Sequence, residues 1–299
     1  MESDYLNKSL LYGSQDGTAL GPLPSTIYHY CSSESFLRII TGNSLRLCNI
    51  SHTNDYLEAK YLAHWIIRVT ESPEIFNNLR QALEQTSAFI SCFSDKHDSL
   101  GQWRAYAGNG TGFAIGFDTN KINIEKRLPE PCDKVPGVMP IIYSDDEMHR
   151  VAEAIKSFYL SQNNCDKKSL YHDLVRLSFL CKNPTFKEEN ELRIIYTPDI
   201  AEEVKRKGLN KESATSDKKA NFLLDFREIH GGISAYCNWR FPKEAITNII
   251  LGPATKTRRN DVRLLLNSHG YTNVEDYQLS FSQNSYNLDQ VSRQMEPMG

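Results

Sequence analysis

No two of the seven cysteines in this 299-residue chain stand in a Cys-x-x-Cys pair, and seven is an odd number. That speaks against a disulfide framework and against a zinc knuckle. The eight histidines are scattered, with no His-x-x-x-His pair to hold a metal from one helix face. There is no Gly-x-x-x-x-Gly-Lys-Ser/Thr phosphate loop and no Gly-x-Ser-x-Gly elbow, so kinase-type and serine-hydrolase chemistry lack their usual scaffolds. No metal is expected. The net charge of −3 supplies no basic field that would call for nucleic acid or an anionic membrane. No apolar run approaches a membrane span, and Met1-Glu2-Ser3-Asp4-Tyr5 lacks the basic-then-apolar profile of a signal peptide. These absences predict a protein of the reducing cytoplasm with no membrane partner.

What is present is an ordinary globular composition, 40% hydrophobic and 24% charged, long enough to bury a core. Residues 1–24 are polar, end in Gly21-Pro22-Leu23-Pro24 and read as a flexible leader. Ile27 to Cys31 and Leu45 to Cys48 have strand composition, and the helix between them is capped at Ser32 or Ser33 and stopped by Gly42. Helical periodicity follows in Leu57, Tyr61, Leu62, Trp65 and Ile66 and again over 74–85. Ala88–Phe93, Gly112–Phe117, Met139–Tyr143 and Ile246–Leu251 read as strands, Gly101–Tyr106 as a short helix and 108–112 as a turn. The expectation is one α+β domain over 25–280 with a mixed, mainly antiparallel sheet. It carries a helical insertion at about 146–181 and a charged loop at about 199–220; residues 281–299 form a tail.

The densest chemical signal is Glu189-Asn190-Glu191-Leu192-Arg193. On a strand, alternation would put Glu189, Glu191 and Arg193 on one face and Leu192, Ile194 and Tyr196 on the other. Two carboxylates and a guanidinium on one rigid face can be a site or a salt bridge. His29, between Tyr28 and Tyr30, can donate to a ribose or phosphate with the tyrosines as stacking surface, or be satisfied by backbone. Trp103 and Tyr106, three apart on a helix, can stack on a flat heterocycle or fill the core. Asn54, Asp55 and Glu58 suit a helix start, while Glu58-Ala59-Lys60 has the Glu-x-Lys spacing of metal nucleases, here on a helix rather than the strand such sites need.

The blocks Tyr28-His29-Tyr30-Cys31-Ser32, Asn54-Asp55-x-x-Glu58, Ser91-Cys92-Phe93-Ser94, Trp103-x-x-Tyr106, Glu189-x-Glu191-x-Arg193 and Ile249-Ile250-Leu251-Gly252-Pro253 resemble a widespread bacterial family known as a domain of unknown function, over roughly 25–280. The Tyr-His strand with its helix and second strand, and the late Glu-x-Glu strand, are also distantly similar to ADP-ribosyltransferases. That resemblance implies an ADP-ribosyltransferase-like fold and an enzyme that consumes NAD as a substrate, cleaving its nicotinamide–ribose bond in transfer or hydrolysis. A bacterial toxin or antiviral-defence effector fits, acting on a protein or nucleic-acid acceptor under a regulatory partner. Carried over, Glu191 is the catalytic glutamate, Glu189 orients the acceptor and His29 holds a ribose. Tyr30, Trp103, Tyr106 and Arg193 complete the NAD-binding set with His29, the rings as aromatic surface and Arg193, which departs from the family pattern, paired with a glutamate. The alternatives are a non-catalytic nucleotide- or protein-binding module, with the charged strip as a structural ion-pair cluster, and a metal nuclease centred on Asp55, Glu58 and Lys60.

Overall fold

The computed structural model describes residues 23–52, 60–126, 136–161, 167–200, 204, 222–229, 231–275 and 278–284. The leader, the charged loop and the tail expected from the sequence thus lie wholly or largely outside the described residues, as do Asn54, Asp55 and Glu58.

The chain opens with β1 (Thr26–Cys31), α1 (Ser33–Gly42) and β2 (Ser44–Asn49). Ser32 caps α1 by accepting from the Ser35 amide. The left-handed residue that ends it is Asn43 at φ 46°, one place beyond the glycine the sequence suggests; its side chain donates to the Phe241 carbonyl. Helices α2 (Tyr61–Thr70) and α3 (Pro73–Gln85) precede β3 (Phe89–Ser94), α4 (Leu100–Tyr106) and β4 (Phe113–Asp118). Then come β5 (Gly137–Pro140), α5 (Asp145–Ser161), α6 (Lys167–Ser178) and β6 (Glu191–Tyr196). The chain continues through β7 (Phe222–Ile229), β8 (Gly232–Arg240), β9 (Ile246–Leu251), α7 (Arg259–Ser268) and β10 (Leu279–Phe281). The β7–β8 hairpin is absent from the sequence reading, although Gly231 at φ 85° supplies the turn that alternating apolar flanks call for.

This is a mixed α/β protein built on a mainly antiparallel open sheet. The strand order is β10-β9-β4-β1-β3-β2-β8-β7, and β6 leaves this path by pairing with β3 and with β5. Among the named strands the β9–β10 pairing is parallel. Alternation sends Ile27, Leu45, Leu47, Phe93, Ile115, Phe117 and Ile194 to one face, where Phe36 and Ile40 of α1 and Val262 and Leu266 of α7 complete the larger core. On the other face, Ile90, Met139 and Ile195 meet Leu62 and Ile66 of α2, Leu79 of α3, Ile155 of α5 and Leu174 of α6. The expected helical insertion is therefore no appendage: α5 packs on α2 and α6 on α3, one layer assembled from two distant segments. Such double coverage explains why β6 is buried at every position and β3 at all but Cys92, on both faces rather than one.

A small third cluster holds α4 in place. Trp103 packs edge-on against Tyr30 at 4.9 Å, with Ala107, Ala114 and Ile250 around it. The loop after α4 carries Gly108, Asn109 and Gly110 in left-handed conformations and docks on the end of β9, where the Gly252 amide donates to the Gly112 carbonyl. A Cβ at Gly112 would sit on the carbonyl oxygen of Cys31, so only glycine permits this backbone approach.

Candidate functional site

Strand β3 gives one whole edge to β6, from Phe89↔Tyr196 to Ser94↔Glu191. Its other edge is shared. β1 touches it only at Tyr28↔Ser94, and β2 only at Cys48↔Ile90 and Asn49↔Phe89. Between those contacts β1 and β2 part, and a cleft of about 210 Å³ opens over Ser91, Cys92 and Phe93.

His29 stands in this gap. Its Nδ1 lies 3.0 Å from the Cys92 carbonyl oxygen. A carbonyl oxygen only accepts, so Nδ1 carries the proton and Nε2 of the neutral ring keeps a lone pair. Burial lowers the His29 pKa, with the bond to Cys92 acting the other way, so the ring stays neutral. The backbone reading of His29 holds, and it changes the other one: the single ring proton is spent on Cys92, so His29 cannot donate to a ribose or phosphate as expected and offers Nε2 only as an acceptor. Nearby, the Ser91 hydroxyl and the Arg46 Nε are buried without a hydrogen-bond partner, and both residues line the cleft.

The acidic wall is arranged differently from a simple strand face. β6 begins at Glu191; Glu189 ends a 3₁₀ turn, and Asn190 between them is left-handed at φ 44°. The carboxylates are brought together by Lys182, whose Nζ donates to Glu189 Oε2 at 2.6 Å and to Glu191 Oε2 at 3.0 Å. Arg193 takes the other Glu191 oxygen with Nε at 2.9 Å and Nη2 at 2.7 Å, and donates from Nη1 to the Phe179 carbonyl. Burial pushes the Glu191 carboxyl up, but the charges of Arg193 and Lys182 more than reverse this and leave it at about 2. Glu191 is thus ionised and anchored at both oxygens, its side chain 4% exposed. Glu189, at 19%, is the more accessible carboxylate.

Tyr106 closes the cleft by donating from its hydroxyl to Glu189 Oε1 at 2.9 Å, and Gln102 donates to the Glu189 carbonyl. Beyond that partition lies a second, larger cavity of about 490 Å³, which Gln102, Tyr106 and Glu189 also line, together with Asp98, Phe186 and Glu188.

His29, Tyr30, Tyr106, Glu189 and Glu191 all line the cleft. Two residues expected in the NAD-binding set do not. Trp103 is wholly buried behind Tyr30, its indole donating to Asp98 at 2.6 Å; it supports the wall from behind because the ring fills the space between α4 and the sheet. Arg193 is also wholly buried, and its geometry is that of a positioning residue for Glu191. Tyr30 lines the cleft while its hydroxyl, donating to the Lys96 carbonyl and accepting from the Ser99 amide, holds the loop before α4. Lys182 is the residue that sequence reasoning missed. Its signal was a lysine closing the buried run Leu177–Cys181, seven and nine residues before two glutamates in need of a counter-charge. Asp55 and Glu58 of the nuclease alternative lie outside the described residues, and Lys60 stands at the N-terminus of α2 without a capping side-chain bond.

A family model described as a protein of unknown function, DUF2971, matches residues 102–194. The matched segment runs from α4 to β6 and includes Tyr106, Lys182, Glu189, Glu191 and Arg193, but not His29. It is narrower than the span expected from the sequence and carries no link to ADP-ribosyltransferases. No curated protein and no solved structure matches the chain. No described helix is long and apolar enough to cross a membrane.

Proposed function

We propose that this protein is an ADP-ribosyltransferase-like enzyme that binds NAD in the cleft between β1 and β2 and breaks its nicotinamide–ribose bond. One observation carries the reading: His29 and Glu191, 162 positions apart and each singled out from sequence, line the same cleft with Tyr106 and Glu189. The neutral His29 ring accepts from a ribose hydroxyl through Nε2. Nicotinamide departs with the electrons of the C1′–N bond, which cancel its pyridinium charge, and leaves an oxocarbenium-like ribose. Carboxylates held rigidly beside that cation stabilise it without having to reorganise, and Tyr106 screens it from water. An acceptor nucleophile on a protein or nucleic acid, or water, then attacks C1′, and Glu189 orients it and takes its proton. The chemistry suits a toxin or defence effector acting on cellular macromolecules.

A second reading has an observation of its own. Both oxygens of Glu191 are taken by Arg193 and Lys182, which favours a structural ion-pair cluster in a non-catalytic nucleotide-binding module. One measurement separates the two. Nicotinamide release from NAD is followed with cell protein, RNA or DNA as acceptor, for the natural chain and for Glu191→Gln and Glu189→Gln variants shown by circular dichroism to be folded at the assay temperature. Release that falls at least about 100-fold in the Glu191 variant supports the enzyme. Its absence in the natural chain with every acceptor, or its survival in both variants, supports the module.

A further inference from the structure

The cleft does not end at β2. Strand register carries one face of the sheet outward from it: Cys48 lies opposite Ile90 on β3 and Tyr236 on β8, while Arg46 lies opposite Asn238. Tyr236 in turn lies opposite Asp225 on β7, and Ser234 opposite Arg227. Cross-strand partners share a face, so Arg46, Cys48, Tyr236 and Arg227 stand on the side of the sheet that also carries Cys92, Glu191 and Arg193. From β3 to β7 this strip crosses three strand spacings, about 14 Å.

Two guanidiniums on the strip keep a buried donor without an acceptor. Arg46 and Arg227 each bury Nε without a hydrogen-bond partner, and among the described residues neither forms an ion pair. The Arg46 guanidinium is held 4.1 Å over the Tyr236 ring, fixing its plane beside the cleft that it lines. Asp225, opposite Tyr236, accepts the Tyr236 hydroxyl at 3.0 Å. Burial pushes the Cys48 thiol up and the charges of Arg227 and Arg46 oppose it, so both cations lie near this cleft-lining residue, on the face that register gives all three. By contrast Arg193, on the same face, has its donors matched to a carboxylate and a carbonyl. Buried donors without acceptors are costly, and planar guanidinium forks match phosphoryl oxygens in geometry and charge.

We propose that Arg46 and Arg227, with Tyr236 bracing the first, form a binding site for the diphosphate group of a nucleotide whose ribose enters the cleft. The site deepens the NAD reading and rests on the cleft being a nucleotide site, whether or not a reaction follows. Its order places the uncharged wall of Tyr28, His29 and Tyr106 at the nucleoside end and the cationic strip at the phosphate end.

Calorimetric titration of the full chain with ADP and with adenosine tests it. ADP is expected to bind at least tenfold more tightly than adenosine. Arg46→Gln and Arg227→Gln should each weaken ADP binding several-fold, and together they should erase the difference from adenosine. Arg46→Lys and Arg227→Lys keep the charge but lose the fork, so they should fall between; they carry the test if the double variant does not fold. Equal affinity for ADP and adenosine would overturn the site, as would arginine variants that bind ADP like the natural chain. Binding of a single-stranded oligonucleotide through these arginines without binding of ADP would overturn it too. Glu191→Gln separates this site from the enzymatic reading. Arginine-dependent ADP binding with no nicotinamide release in any protein leaves the site standing and removes the enzyme.

Discussion

Lys182 sets the geometry of both cleft carboxylates, because Glu189 and Glu191 would repel each other without the ammonium between them. Lys182→Met keeps the length and apolar stem but removes the charge, and should cost about 3 kcal/mol in urea unfolding, the scale of breaking a buried ion pair. Arg193→Ala should cost at least as much, since it also strips the Phe179 carbonyl of a donor. Glu191 gives the stability curve a defined acid limb. Its carboxyl is held at about 2 in the folded chain against an ordinary 4.5, so its stabilising contribution is complete above pH 4.5 and is lost as pH falls toward 2. The stability difference between the natural chain and Glu191→Gln, followed by denaturant unfolding from pH 7 downward, should therefore be flat to about 4.5 and then shrink. Candidate residues were legible at this scale because their types are chemically rare on strands. Their hydrogen-bond partners were not, since Lys182, Phe179 and Cys92 reach them through folding rather than spacing.

At the scale of elements, the cleft exists because β1 and β2 compete for one edge of β3 and each wins only one end of it. Most strands were readable from β-branched and aromatic runs, and α1 from its cap and period. The β7–β8 hairpin was passed over, although it extends the sheet beyond β2 and carries Tyr236 and Arg227. Glu189 was misread as part of a strand because its neighbour Asn190 takes a left-handed turn that asparagine tolerates and propensity does not announce. The support of α4 makes two expectations. Trp103→Ala removes a wholly buried ring and should cost about 3–5 kcal/mol of unfolding free energy. Gly112→Ala forces a Cβ onto the Cys31 carbonyl and should cost about 3 kcal/mol or more, although it adds a single methyl group.

For the whole molecule, a ligand that seats in the cleft bridges the α4 cluster, β1, β2 and the β6 wall at once. Binding to the folded state alone stabilises it by about 2.7 kcal/mol at a hundredfold excess over Kd. NAD is therefore expected to raise the melting temperature by several degrees in differential scanning fluorimetry. Glu191→Gln should keep most of that shift, because its loss concerns the reaction more than the seat, whereas unchanged melting at millimolar NAD would argue against the cleft as a nucleotide site. A mixed, mainly antiparallel sheet was legible from the order of apolar runs. The helical layer was not, since α2 and α3 join α5 and α6 across more than fifty residues of intervening chain.

By itself the amino-acid sequence determines the local pieces: strand alternation, the cap at Ser32, the glycines at Gly112 and Gly231, and the glutamates that must face some counter-charge. These follow from backbone sterics and nearest-neighbour chemistry, which act over a few residues. Only the tertiary structure decides that Trp103 stands behind the wall rather than in it, that Lys182 joins Arg193 on Glu191, and that Arg46 and Arg227 each keep a buried Nε without an acceptor. The physical reason is strand pairing. Which edge of β3 is shared, and by whom, depends on packing between segments far apart in the chain, and that choice opens the cleft.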